Sequence, residues 1–362
     1  FVRVNIAEKV IFIFLIAILL LPTAYQLVTT FNIKLVFSDI IKITKYLGSV
    51  LAFLYFRRIF INKGYLLKWV YRWMLFSFII LIINISLKLF DLGFPMYTMG
   101  ILEIGSKGFF YAGNEISGVL IILSSFLMYW YQFYDKKMLF NIVGVLAILT
   151  GLYITSKTAI LGTVFTFVYF LIFNPNRKII SIKGIASFSF LFFILLPASL
   201  YFIIDYLKTS DAIERFSYFW NELDVYTFIL SNRNTFLFDF IEIFKKEYNI
   251  MEMIIGVGHS TFETLNHGHI IELDFFDIYF AYGIIGTALF LFYIFFLLIK
   301  SKIKSLNRKT YLFSSYSKYI AILLFVLSFL SGHIFNSGMI ALYMGCVFSL
   351  MYYKSNNENQ LS

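Results

Sequence analysis

Apolar stretches long enough to cross a bilayer follow one another along most of this chain, and they leave few folds open. A hydrocarbon core about 30 Å thick takes roughly 20 apolar residues of helix. Ten such spans are predicted: Lys9–Val28, Leu35–Phe56, Trp69–Phe90, Gly113–Tyr134, Met138–Thr155, Thr158–Phe173, Gly184–Ile204, Phe275–Ile299, Tyr319–Phe335 and Ser337–Tyr353. Only helices and closed barrels satisfy their backbone polar groups in lipid, and the period-2 alternation of a barrel is absent. The expected fold is all-α, a polytopic transmembrane helix bundle. Composition agrees, because 60% of residues are apolar and 14% charged, outside the range of soluble domains. The chain begins at Phe1, so ten spans is a lower bound. Val10–Leu21 continues into a full span without a small-residue cleavage site, so no cleavable signal peptide is expected.

The net charge of +10 does not point to nucleic acid. With the N-terminus in the cytoplasm, short cytoplasmic segments hold 19 of the 30 Lys and Arg. That bias sets membrane orientation and favours contact with anionic lipid. It puts both termini inside and residues 205–274 outside. The whole chain, 1–362, reads as one integral membrane domain with 205–274 as a large extracytoplasmic loop. The lone Cys346 excludes a disulfide framework and a Cys-based metal site. Lys42 and Lys45 fall inside the second span, where each costs about 2.5–3.5 kcal/mol at a helix centre. They either snorkel outward, with Asp39 one turn away, or form a basic wall of a substrate groove.

The 205–274 loop carries 12 of the 20 Asp and Glu and three of the four His, chemistry a lipid-embedded chain has little reason to keep unless it acts on something. Within it, Asn234–Tyr248 is predicted as an amphipathic helix with Phe236, Phe240, Ile243 and Phe244 on one face. Ser231 and Asn232 are its expected caps. His259 follows the Gly256-Val257-Gly258 turn and is a candidate substrate contact. His267 and His269 with Glu272 or Asp274 are compatible with a solvated pair, a catalytic pair or a metal site, although HExxH is absent. Arg215 and Arg233 suit bidentate recognition of a phosphate or diphosphate. Each has the alternative of pairing with a neighbouring carboxylate such as Glu214, Glu222 or Asp224. Outside the loop, Asn114 and Glu115 open the fourth span, and Lys157 sits in the Ser156-Lys157-Thr158 hairpin, where it either snorkels to the outer surface or meets a lipid phosphate.

These residues occur in a familiar order. It comprises Asn114-Glu115, Ser156-Lys157, Ser231-Asn232-Arg233, Gly256-Val257-Gly258, and Glu272 to Gly286 ending in Gly-Ile-Ile-Gly. Over about residues 100–350 the chain resembles the O-antigen ligase and Wzy-type polysaccharide polymerase superfamily, above all its capsule and exopolysaccharide polymerases. The resemblance implies a C-type glycosyltransferase fold in a bacterial cytoplasmic membrane. It implies an undecaprenyl-diphosphate-linked saccharide substrate, no metal, no nucleotide and no other cofactor. It further implies outer-face Arg residues for the diphosphate, and a chain-length regulator and a flippase as partners. Two positions depart from the family pattern. Lys157 stands where Arg is frequent, and Glu272-Leu273 stands where ligases carry His-Asn. Catalysis is then expected from Arg233, Arg215, Glu272, Asp274, His267 and His269, and substrate binding from Lys157, Asn114, Glu115 and His259. Ligation of finished glycan is the alternative activity. A flippase is less well matched, since no inverted repeat is evident and Lys88, Asp135 and Lys157 lie near span ends. Cytoplasmic nucleotide-sugar synthases are disfavoured, because Asp-x-Asp and Gln-x-x-Arg-Trp are both missing.

Overall fold

The computed structural model describes residues 6–99, 102–110, 112–173, 225–307 and 310–354. The predicted span Gly184–Ile204, residues 205–224 of the polar loop and therefore Arg215 lie outside the described residues. In chain order the helices are α1 (Ile6–Thr30), α2 (Ile33–Asn62), α3 (Leu67–Ser86), α4 (Gly113–Phe133), α5 (Lys137–Ile154) and α6 (Lys157–Ile172). They continue with α7 (Val225–Leu230), α8 (Arg233–Glu247), α9 (Ile250–Ile255), α10 (His259–Leu265), α11 (Asp274–Ser305), α12 (Ser314–Leu330) and α13 (Gly338–Ser349). Among the described residues the only sheet is a two-stranded antiparallel hairpin, β1 (Tyr97–Met99) with β2 (Leu102–Ile104). The protein is all-α and polytopic. Two compact units are distinguishable, one made of residues 1–66 and 230–362 and the other of residues 67–229.

Among the described residues, five helices are long and apolar enough to cross a membrane: Phe12–Thr29 in α1, Gly64–Phe90 around α3, then α4, α5 and α11. α6, α12 and the stretch around α13 are shorter apolar helices. α2 covers the predicted second span, but Asp39, Lys42, Lys45, Arg57 and Arg58 keep it out of the most apolar group. The outward faces of the spans are apolar, as with Ile13 and Phe14 on α1, Phe76 and Ile83 on α3, and Phe292 and Phe295 on α11. So much exposed hydrocarbon on successive helices is what a bilayer covers. Among the described helices of its unit, α4 is the exception. It is buried from Ile116 to Tyr131, as expected for a helix apolar on every side.

In the first unit α2 packs closely on α13. A Cβ added at Gly345 would lie 2.5 Å from the Phe53 nitrogen and 2.7 Å from the Ala52 carbonyl carbon. Small residues permit this backbone approach, which replaces hydrophobic drive as the source of helix association in lipid.

α11 differs from its predicted span, Phe275–Ile299. It is not one continuous helix. Gly283 has φ 61° and ψ −162° and breaks the hydrogen-bond ladder. Carbonyls near the break are taken up from the loop: Gly258 N–H donates to Ala281 O at 2.9 Å, and the Tyr248 hydroxyl donates to Phe280 O at 3.1 Å. Non-helical backbone at such depth is tolerated only where protein covers it. The apolar run 284–299 makes about 24 Å of helix at about 1.5 Å per residue. The piece before Gly283 packs its Ile278, Phe280 and Tyr282 with Phe240, Tyr248 and Phe262 of the polar loop.

The amphipathic helix of that loop forms as α8, with a rotated face. Phe240 is buried, and Leu237, Ile241, Ile243 and Phe244 pack beside it, while Phe236 is exposed. Positions 237, 240, 241 and 244 make the tighter stripe at helical spacing. The expected caps do not cap. Ser231 and Asn232 take φ 54° and 69°, and the Asn232 side chain makes no capping bond. An N-cap needs an extended backbone to aim its oxygen at the first-turn N–H groups. The left-handed turn forgoes that bond and presents Arg233 as the first helical residue.

Candidate functional site

Arg233 leaves that turn and reaches Glu272, the residue two before α11. Nη2 and Nε of Arg233 both donate to Glu272 Oε2, at 2.7 and 3.3 Å, and Nη1 donates to Leu330 O at 3.2 Å. Leu330 ends α12, so the guanidinium lies at a helix C-terminus where carbonyls lack partners and the dipole favours a cation. The other carboxylate oxygen, Glu272 Oε1, lies 3.7 Å from His333 Nε2. That separation is an ion pair rather than a hydrogen bond. Glu272 thus bridges two cationic groups. Side-chain exposure is 12% for Arg233, 24% for His333 and 39% for Glu272. The carboxylate is open to a ligand, while the guanidinium is held from behind.

His333 is carried by the connection between α12 and α13, residues 331–337. Asp274, the first residue of α11, organises that connection. Its carboxylate accepts from the backbone N–H groups of His333, Ile334 and Phe335 at 2.8, 2.9 and 2.9 Å. Gly332 N–H donates to Glu272 O at 2.6 Å. A Cβ at Gly332 would lie 2.4 Å from the Glu272 carbonyl carbon, so only glycine admits this contact. Glu272 and His333 both have left-handed backbone, φ 63° and 69°.

Electrostatics follow from these contacts. Burial pushes the Glu272 carboxyl upward, but His333 and Arg233 outweigh it and hold it at about 2. Burial pulls the His333 imidazole down, and Glu272, then Asp274 and Asp277, outweigh that and raise it above its ordinary 6.5. Each partner favours the charged form of the other.

The other sequence candidates have different surroundings. Asp274 is 1% exposed and its oxygens are occupied by backbone. His267 and His269 lie exposed on the turn after α10. Neither forms a hydrogen bond or ion pair with Arg233 or Glu272. His259 is fully buried, with Nε2 3.4 Å from Asn336 Nδ2. Burial, then Lys42, pulls its imidazole down to about 3. Asn114 and Glu115 stand in the first turn of α4 and Lys157 opens α6, in the second unit. Lys42 pairs with Glu263 at 3.1 Å, while Asp39 accepts from Thr23 Oγ1 and Ser260 N at 2.8 and 2.6 Å. The predicted Asp39–Lys42 neighbourhood is replaced by two separate ties from α2 to α1 and α10.

His333 itself did not figure among the sequence candidates. The predicted span Tyr319–Phe335 absorbed it, whereas α12 stops at Leu330. The available signal was the run Ser331-Gly332-His333 with Asn336-Ser337-Gly338, a cluster of turn residues in an apolar stretch.

Residues 210–356 match the family described as O-antigen ligase like membrane protein. The resemblance read from the sequence is borne out over that stretch. Arg233, Glu272, Asp274 and His333 all fall within the O-antigen ligase like segment. Lys157, Asn114 and Glu115 precede it. No curated protein and no solved structure matches the chain.

Proposed function

We propose that this protein transfers a growing glycan from a lipid diphosphate carrier to a hydroxyl of the next lipid-linked repeat unit, on the outer face of the cytoplasmic membrane. The family match supports a multi-pass membrane enzyme that handles glycans. The observation that carries the reading further is Arg233, a fixed guanidinium bridged to a half-exposed carboxylate. The donor bond already holds a diphosphate leaving group, so no nucleotide is needed outside the cell. The acceptor oxygen bonds to the anomeric carbon as the carbon–oxygen bond to the diphosphate breaks. Its proton must pass to a base, and the electron pair leaves on the diphosphate. Arg233 has the geometry to neutralise that charge as it grows. A flippase supplying the lipid-linked unit and a chain-length regulator are the partners this reading implies.

The test is Arg233→Ala in cells lacking the native gene. Polymer should vanish and single lipid-linked repeats accumulate, with the protein still in the membrane and the rate down about 10²–10³-fold. Near-normal chain length would reject the role. Arg233→Lys should also lose most activity if the diphosphate is gripped bidentately. The description of the matched family favours a second reading, ligation of finished polymer to an acceptor. Gene deletion separates the two, because a ligase leaves full polymer unattached.

A further inference from the structure

We infer that His333 is the general base of this transfer, oriented through Asp274 and paired electrostatically with Glu272. The inference rests on the proposed glycosyl transfer and names the group that takes the acceptor proton.

Among the described residues of the Arg233 cluster, elimination and geometry both lead to His333. Glu272 gives Oε2 to Arg233 at 2.7 Å, and a carboxylate held at about 2 is a feeble base near neutrality. Asp274 has its oxygens filled by three backbone N–H groups. His259 is buried. His267 and His269 make no contact with the Arg233 cluster. His333 remains, and its environment has the parts a histidine base needs. Nε2 faces the carboxylate at 3.7 Å, which favours the tautomer with its proton on Nε2 and its lone pair on Nδ1. The side chain is 24% exposed, so a substrate hydroxyl has access. The charged and titratable groups around it are Glu272 ahead of α11, Asp274 and Asp277 on α11, Arg233 on α8 and His259 on α10. The three carboxylates favour the imidazolium, which is the species formed when the base takes its proton.

In the step, the acceptor hydroxyl gives its proton to Nδ1 as its oxygen bonds to the anomeric carbon. The diphosphate leaves with the bonding pair toward Arg233. The imidazolium returns its proton to water outside. A diphosphate that draws Arg233 away from Glu272 leaves the carboxylate to His333 alone, which raises basicity as the donor binds.

The experiment uses membranes with lipid-linked repeat units extracted from the deletion strain, across a range of pH. Wild-type activity should rise with pH through an ionisation above 6.5. His333→Gln should lose about 10²–10⁴ in rate and lose that acid limb. Glu272→Gln should move the limb to lower pH, a shift that a purely structural role would not produce. A His333→Gln variant within a few-fold of wild type, or residual activity that keeps the same limb, overturns the inference. If Arg233→Ala is inactive while His333→Gln is active, the base assignment alone fails. If wild-type membranes form no polymer from these units, the transfer reading itself fails. The chain has four His, so ¹⁵N-histidine labelling decides the matter if His333→Gln does not reach the membrane. One imidazole of the wild type must titrate above 6.5 and fall in Glu272→Gln, and its absence overturns the assignment.

Discussion

Four residues around the Arg233 cluster, Ser231, Asn232, Glu272 and His333, have φ between 54° and 69°. Left-handed backbone at a non-glycine residue costs on the order of 1–3 kcal/mol and persists only where surroundings enforce it. Here the enforcement is visible in Gly332 against the Glu272 backbone and in the Asp274 carboxylate beneath residues 333–335. Strain gathered where three titratable groups meet supports the proposed site. The pairing also makes a stability prediction. Glu272, ordinarily at 4.5 and here at about 2, contributes fully above 4.5 and loses its contribution as pH falls toward 2. His333, ordinarily at 6.5 and here raised, contributes fully below 6.5 and loses its contribution as pH rises through its folded value. The melting difference between wild type and Glu272→Gln should therefore be largest between pH 4.5 and 6.5. It should narrow on both sides, and only in part on the alkaline side, because Arg233 stays charged. Calorimetry in nanodiscs reads this, and a difference flat with pH would remove the ion-paired carboxylate from the site.

Helices were legible wherever an apolar run kept going, because length and hydropathy suffice to specify a span. Nine of the ten predicted spans coincide with described helices. What the runs concealed were interruptions made by one or two residues. Gly283 inside an apolar segment reads as an ordinary membrane glycine, yet it divides α11. The 331–337 connection is similar, since Ile334 and Phe335 continue the apolar pattern across a loop. Arg233 and Glu272 were readable by residue type, whereas their contact spans 39 positions and no local pattern encodes it. Gly283→Ala tests the division. A Cβ there would lie 2.5 Å from Ile254 O and 2.6 Å from Gly256 N, all of it unyielding backbone. The loss should be roughly 2–4 kcal/mol from backbone strain and overpacking, measured by denaturant or thermal midpoint. Gly338→Ala, with nothing within 4 Å of the added carbon, should be nearly silent. If the two variants melt alike, the docking of the 254–258 turn into the break carries no stability.

Across the whole molecule, charge and chemistry occupy different stretches of the first unit. Arg57, Arg58, Lys63, Lys300, Lys302, Lys304 and Lys354 belong to stretches without Asp or Glu, 51–66, 292–318 and 338–354. Lys304 and Arg57 both stack on the Tyr352 ring, at 4.6 and 4.8 Å, a desolvated arrangement that strengthens cation–π attraction. The Arg233 cluster instead sits where α8, α11 and α12 begin or end. α11 runs from the cluster's neighbour Asp274, through the break, to Lys302 and Lys304 in its last turn. We propose that this helix, with an acidic start and a basic end, runs with its basic end to the cytoplasm, as the positive-inside rule favours. The proposed transfer depends on that orientation, because its donor is drawn upon outside. Cys346, the one cysteine, is buried, so the native chain offers a silent background for labelling. His267→Cys and Lys302→Cys replace exposed residues at the two ends. In intact cells a membrane-impermeant maleimide should label position 267 and leave 302 unlabelled until the membrane is opened. The reverse pattern would put Arg233 on the side with nucleotide sugars and remove the reason for a lipid diphosphate donor.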